Sequence, residues 1–303
     1  MTGEFAVVDR LRRALPGPPA GQTWIGDDAA VVGPPAGALV LTSDAVVAGV
    51  HFDLSLVSLD DVGWKAVSVA VSDVAAMGCR PMYALMTVCG PPDLDVDLLY
   101  EGVAQAIDAY GCPVVGGDLV GAGQLVVSVA VAGETGHRTP VLRAGALPGD
   151  RVFVTGRLGA SAAGLRLLRD GSAAPDHPLA LAHRRPRARV AEGRAARAAG
   201  ATAMVDVSDG LAADLGRLAA ASGVGVALDA VPRAPGATPD EALSGGEDYE
   251  LVFTATNAGH VAATFAEAGL AQPLGLGYCT ADAGERTLAG EPLGAGGWEH
   301  EFR

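Results

Sequence analysis

Seven aspartates recur in five short motifs flanked by glycine or serine: Gly26-Asp27-Asp28-Ala29-Ala30, Thr42-Ser43-Asp44, Val71-Ser72-Asp73, Gly116-Gly117-Asp118 and Asp206-Val207-Ser208-Asp209-Gly210. A further acidic run, Gly245-Gly246-Glu247-Asp248-Tyr249-Glu250, follows them. Most of these motifs come directly after apolar runs that read as strands, and carboxylates at strand ends converge in space even when far apart in sequence. Like charges gathered in this way repel and require a positive partner. Mg2+ suits the role, because it takes carboxylate oxygens, waters and substrate phosphates. No Walker P-loop accompanies the acids. The pattern points to metal-dependent chemistry on phosphates.

Each motif carries a structural alternative. In extended backbone Asp27 and Asp28 point opposite ways, so one of them, taken as Asp28, faces inward; the alternative is an Asx turn beside Gly26. Thr42, Ser43 and Asp44 follow the apolar run 38–41, where two hydroxyls and a carboxylate at a strand end suit a hydrated cation. Asp73 and Asp118 fit the same description, although Asp73 with Ser72 also suits the cap of a short helix over Val74 to Met77. At strand spacing Asp206 and Ser208 share a face, and Asp209-Gly210 turns into a helix whose first N–H groups can meet a phosphate; the alternative is Asp209 as an N-cap alone. Gly156 to Gly164 reads as a glycine-rich strand-to-helix loop, either for phosphate or for close helix packing. His51 stands without a Cys/His partner set for zinc and without a nucleophile pattern. Arg143 is placed to grip a nucleotide phosphate or to form a surface ion pair.

The elements that must position these residues are legible in outline. Phe5, Val8, Leu11 and Leu15 share a helical face; helices are expected over 60–77, 94–110, 161–169, 187–199 and 211–221. Strands are expected over 38–42, 83–89, 114–115, 125–132, 151–155, 203–207, 225–229 and 250–255, with 230–240 a loop. Interspersed strands and helices make an α+β pattern. A turn at Gly145 to Asp150 places a domain boundary near residues 135–148.

Composition narrows the class. The chain has 303 residues, half of them hydrophobic, and a formal net charge of −14, which argues against sequence-independent nucleic-acid binding and against an anionic membrane surface. Lys65 is the only lysine among 21 basic residues, and reads either as a phosphate contact or as a solvated helix residue. The four cysteines form no CxxC pair and suit buried thiols in a reducing compartment. With no apolar leader at the start and no span-length apolar run, a cytoplasmic location is expected.

Taken in order, the strings GDDAAV at 26–31, TSD at 42–44, GVHF at 49–52, WKAVSVAVSDVAAMG at 64–78, GGD at 116–118, RAGALPGD at 143–150, VTGRLGASAAGL at 154–165, DVSDGLAADL at 206–215 and SGGEDYEL at 244–251, with Gly3-Glu4-Phe5 at the start, resemble the thiamine-monophosphate kinase family of the PurM-like superfamily. The resemblance implies a two-domain α+β fold: an N-terminal α/β domain over 1–137 with a mixed sheet that dimerises, and a C-terminal α+β domain over 138–303. It implies ATP and thiamine monophosphate as substrates, several Mg2+ ions, direct transfer of the γ-phosphoryl group and a homodimer. By motif position, Asp28, Thr42, Ser43, Asp44, Asp73, Asp118, Asp206 and Asp209 would hold Mg2+. Gly117, Asp118, Arg143 and Ser208 would contact ATP; His51, Glu247 and Trp298 would contact thiamine monophosphate. Three departures stand out. Leu119-Val120 replaces the two threonines of the family's GGDTT, the stretch 229–245 is short, and the tail has one extra residue between His300 and Phe302. Rival readings are another PurM-like ATP-dependent enzyme (selenophosphate synthetase, hydrogenase-maturation carbamoyl dehydratase or aminoimidazole ribonucleotide synthetase) and a non-catalytic nucleotide-binding regulator. No Cys precedes residue 79 and none lies near the end of the chain, as the first two would require.

Overall fold

Residues alternate between buried and exposed along Leu39–Val47, which forms the strand β1: Val40 and Val46 are buried, whereas Leu39, Leu41, Ser43 and Ala45 are exposed. The computed structural model describes residues 4–174, 176–294 and 296–299, with side chains from Ala6 onward. They fall into two compact units, one made of the residues up to Val74 with Arg80–Arg138 and the other of Ala75–Cys79 with the residues from Thr139 on.

The first unit contains α1 (Glu4–Ala14), β1, α2 (Leu59–Ala76, ending in the second unit's segment), β2 (Arg80–Gly90), α3 (Val96–Tyr110), β3 (Val114–Gly121) and β4 (Val126–Glu134). Its sheet runs in the order β1-β4-β2-β3. β4 is antiparallel to both β1 and β2, while β2 and β3 are parallel because α3 carries the chain across between them. Pairing register assigns the two faces. One carries Val40, Thr42, Asp44 and Val46 beside Val127, Val129 and Val131, then Ala84, Met86 and Val88. The other carries Leu41, Ser43 and Ala45 beside Ser128, Ala130 and Ala132, then Leu85, Thr87, Asp118 and Val120. The Asp95 carboxylate caps α3 by accepting the Leu98 N–H at 3.0 Å, and Gly111 closes the helix in a left-handed conformation. α2 is apolar and buried almost all round. Two glycines let it meet α3 backbone to backbone: a Cβ at Gly63 would stand 2.0 Å from the Leu99 carbonyl oxygen, and one at Gly102 would stand 1.7 Å from that of Asp60.

The second unit contains β5 (Arg151–Val154), α4 (Ala160–Arg169), α5 (Pro178–Arg184), α6 (Val190–Ala198), β6 (Ala201–Asp206), α7 (Leu211–Ser222), β7 (Gly225–Leu228), α8 (Pro239–Ser244), β8 (Leu251–Ala255), α9 (Ala258–Glu267), β9 (Leu274–Thr280), β10 (Arg286–Leu288) and β11 (Glu291–Pro292). Its seven strands run β11-β10-β7-β9-β5-β8-β6. Both sides of the central strands are packed. Val152, Val154, Val205 and Val252 meet Leu211, Leu215 and Leu218 of α7. Met204, Phe153 and Phe253 meet Val261 and Phe265 of α9, with ring centroids 5.3 Å apart for Phe153–Phe253 and 6.1 Å for Phe253–Phe265.

Several sequence expectations change here. β1 does not stop at Thr42 but pairs with β4 from Leu39 to Val47, because Thr, Ser and Asp side chains leave the backbone ladder intact. Asp44 and Asp118 therefore lie within strands, and Asp73 lies inside α2 rather than at the start of a separate helix. The stretch 230–240 is not all loop: at its end Thr238 and Glu241 form a reciprocal capping box that starts α8 at Pro239. α5, α9 and β9 were not foreseen. The Gly3 part of the opening motif, the Phe5 side chain and the tail from His300 lie outside the described residues. Among the described residues no helix is long and apolar enough to cross a membrane.

The α2–α3 contact yields a stability prediction. Gly102→Ala should lower the unfolding free energy by roughly 3 kcal/mol or more, since its Cβ meets fixed backbone rather than a movable side chain. Chemical denaturation measures this, and a loss under about 1 kcal/mol would show that the helices separate at little cost.

Candidate active site

In the first unit three of the expected residues meet on the helix-covered face of the sheet. The Thr42 hydroxyl donates to a carboxylate oxygen of Asp73, which reaches across from α2. Asp44 lies one pleat further along β1, its pKa pushed up to about 6 by burial first and by the Asp73 charge second. Among the described residues no arginine, lysine or backbone amide meets the Asp44 carboxylate. Ser43 and Asp118 project from the opposite, exposed face. Gly117 is dictated by close approach, since a Cβ there would stand 1.8 Å from the Met86 carbonyl oxygen. Asp28 is exposed, and its N–H is taken by the Asp27 side chain at 2.9 Å, so Asp27 makes the local turn.

His51 follows β1. Its Nδ1 accepts the Val47 N–H at 3.1 Å, which leaves the proton of the neutral ring on Nε2. The His51 carbonyl accepts from Lys65 Nζ at 2.9 Å. Lys65 is only 2% exposed, so it is neither a solvated helix residue nor open to an incoming phosphate; it anchors the backbone that carries His51.

In the second unit the end of β6, the start of α7, the loop before β8 and the C-terminal segment converge. The Glu247 N–H donates to the Ser208 carbonyl at 2.7 Å, the Tyr249 N–H to that of Val207 at 2.9 Å, and the Trp298 N–H to that of Asp209 at 3.0 Å. Asp206, Ser208, Asp209, Glu247 and Trp298 are thus brought together. Glu247 and Tyr249 hold left-handed backbone at φ 56° and 50°, unusual for residues with a Cβ and costly unless the surroundings enforce it. A Glu247 oxygen lies 3.4 Å from Nδ1 of buried His183, which also meets the Ser161 hydroxyl at 3.1 Å. Arg143 is not part of this group. Its side chain is exposed and its carbonyl accepts from Ser222, at the far end of α7, about 18 Å of helix from Asp209.

Both helix starts proposed for phosphate are already occupied by carboxylates. At α7, one oxygen of Asp214 accepts the N–H groups of Ser208, Asp209 and Gly210 at 3.1, 2.9 and 3.2 Å. Asp209 is not the cap; the N-cap is Gly210. At α4, Asp248 accepts the N–H groups of Gly159 and Ser161 at 2.6 and 3.2 Å. Gly164 serves close packing, as a Cβ would stand 1.9 Å from the Leu179 carbonyl oxygen. Sequence reasoning missed Asp214, Arg217 and His183. Asp214 had a signal, an acid standing amid the apolar positions of α7; His183 had none.

The donors fit Mg2+ by type, being carboxylate and hydroxyl oxygens, and the crowding of Asp44 on Asp73 is the kind of repulsion a cation relieves. Among the described residues no three acidic, His or Cys side chains form a cation site by themselves.

Residues 26–135 match the AIR synthase related protein N-terminal domain, and residues 148–286 match the AIR synthase related protein C-terminal domain. The chain therefore has the two-domain PurM-like fold, α+β in class, with a mixed sheet in its first half. Within that class the thiamine-monophosphate kinase of Mycobacterium tuberculosis is 40% identical over 266 residues, 82% of this chain and 80% of the relative. The crystal structure of thiamine-monophosphate kinase from Stenotrophomonas maltophilia K279a matches at a TM-score of 0.83 and 33% identity, covering 96% of this chain and 98% of that one. A structure of AaThiL complexed with AMPPCP and TMP matches at 0.77 and 36% identity, covering 99% and 97%. The chain belongs to the thiamine-monophosphate kinase family, and it is a kinase.

Asp248 generates a pH prediction. Burial outweighs its amide bonds and raises its pKa from 3.8 to about 6. As pH climbs the unfolded chain ionises first, so the stability present below pH 3.8 is lost as pH passes through about 6. Relative to Asp248→Asn, the parent should lose on the order of 2–3 kcal/mol of stability between about pH 4 and about pH 7. A level difference across that range, by denaturant titration, would show that the amides hold the carboxylate ionised throughout.

Proposed function

We propose that this chain phosphorylates thiamine monophosphate to thiamine diphosphate, with ATP as donor and direct in-line transfer of the γ-phosphoryl group. The likeness to AaThiL complexed with AMPPCP and TMP carries the choice of substrates, since AMPPCP is an ATP analogue and that chain is matched over nearly its whole length. Two phosphate-bearing substrates repel, and phosphoryl transfer needs placement and charge neutralisation more than covalent chemistry. Mg2+, held by Asp28, Thr42, Ser43, Asp44, Asp73, Asp118, Asp206 and Asp209, would supply that neutralisation. Gly117, Asp118, Arg143 and Ser208 are assigned to ATP, and His51, Glu247 and Trp298 to thiamine monophosphate. The attacking phosphate oxygen is already ionised near neutral pH, so no side chain has to act as a strong base.

The exposed face of the first sheet supports a homodimer. It presents Leu41 at 71%, Leu85 at 49% and Val120 at 43% exposure, an apolar row of the kind a second copy covers. Ser43 and Asp118 stand on this face. The four free cysteines suit a cytoplasmic enzyme. The N-terminal domain is taken as residues 1–137 and the C-terminal domain as 138–303.

Incubation with ATP and thiamine monophosphate should yield thiamine diphosphate only when Mg2+ is present. Asp44→Asn and Asp209→Asn should each lower kcat by about a hundredfold or more, with the circular dichroism unchanged. Without Mg2+, Asp44→Asn should melt at a higher temperature than the parent near pH 7, because it relieves the repulsion by Asp73. Near-full activity in both variants would sink the metal assignment, and ATP binding without thiamine diphosphate would move the substrate to a relative of thiamine monophosphate.

A further inference from the structure

Arg217 lies two turns into α7 and reaches back to the helix start. Its Nη1 is 2.5 Å from one carboxylate oxygen of Asp209 and 2.7 Å from Oδ1 of Asp214. Asp214 is 2% exposed, and its other oxygen takes the three N–H groups of Ser208, Asp209 and Gly210. One buried carboxylate therefore holds both the backbone of the turn and the arginine that grips the turn's outer acid. Only one Asp209 oxygen is engaged by Arg217. The same turn carries Ser208, and its carbonyls fasten Glu247 and Trp298.

We propose that Arg217, clamped by Asp214, is a positioning residue for Asp209: it claims one carboxylate oxygen and leaves the other for an incoming cation. This rests on the reading of Asp209 as a cation ligand in a thiamine-monophosphate kinase. A second consequence follows from charge. A guanidinium on the same carboxylate opposes a metal ion there, so Arg217 gives geometry at the expense of metal affinity. Its removal should slow turnover while leaving cation binding no weaker, a combination that general structural damage does not produce.

The test uses the full-length protein and the variants Arg217→Gln, Arg217→Lys, Asp209→Asn and Asp209→Asn/Arg217→Gln. Arg217→Gln should lower kcat about tenfold or more, Arg217→Lys should recover part of that, and the double variant should be within about threefold of Asp209→Asn alone, since Arg217 acts through Asp209. Mn2+ binding followed by electron paramagnetic resonance, without substrates, should show affinity in Arg217→Gln equal to or tighter than in the parent, with the Asp209-dependent fraction lost in Asp209→Asn. The inference is overturned if Arg217→Gln keeps kcat within about threefold of the parent, if the double variant loses a further tenfold or so beyond Asp209→Asn, or if Mn2+ binding and melting temperature fall together. Failure of the parent to make thiamine diphosphate would refute the reading of function. The Mn2+ comparison would then decide the claim by itself, with tighter Asp209-dependent binding in Arg217→Gln supporting it and equal or weaker binding overturning it.

Discussion

A carboxylate taken out of water must be given donors or a positive partner, and the way this chain meets that demand organises its structure. Asp150 receives the Leu147 N–H and the hydroxyls of Thr202 and Thr256. Glu250 receives Thr155 and Arg189, and Gly156 has no side chain because a Cβ there would stand 2.4 Å from the Glu250 carboxylate. Glu134 receives the Ala36 N–H first of all and then Arg80, which hold its pKa low against its partial burial. Asp214 and Asp248 take the N–H groups at two helix starts. Asp44 departs from this pattern, since its neighbour is another acid. Asp44 is thereby set apart from the buried carboxylates whose partners the fold supplies.

That distinction bears on how such a protein handles phosphates. Helix N-termini are ready anion sites, and two of them are closed here by the chain's own side chains. The acids assigned to ligand add negative charge, so on the proposed reading a phosphate would enter in company with cations. The proposed reliance on Mg2+ follows from these blocked amides as well as from the number of aspartates.

Backbone strain marks the same region. Glu247 and Tyr249 adopt left-handed backbone within the Gly245 to Glu250 run, held by N–H bonds to Ser208 and Val207. Such conformations persist only where surrounding contacts over-determine them. Gly210 abuts Ser244, where a Cβ would stand 2.9 Å from backbone, so the turn bearing Asp209 and the loop bearing Glu247 lock together. Movement of either shifts residues assigned to cation and to substrate alike.

The amino-acid sequence by itself determined the ordered motifs, and through them the family, the two-part α+β architecture and most long elements. α3 was legible because its apolar periodicity runs up to the closing Gly111, and α7 because its apolar periodicity follows Asp209-Gly210 directly. α8 was legible in principle from Thr238-Pro239-Asp240-Glu241, a capping box whose signal was hidden in a Pro-, Gly- and Ala-rich stretch. Only the tertiary structure decided which acids share a face. Strand side chains alternate sides, so the pairing of β1 with β4 sends Asp44 to Asp73 and Ser43 to the opposite surface. Only it decided that the α7 amides belong to Asp214 and that Lys65 is buried beneath His51. A motif names the donors at hand, but a hydrogen bond goes to whichever acceptor the fold brings within about 3 Å, and that distance is set by residues remote in sequence.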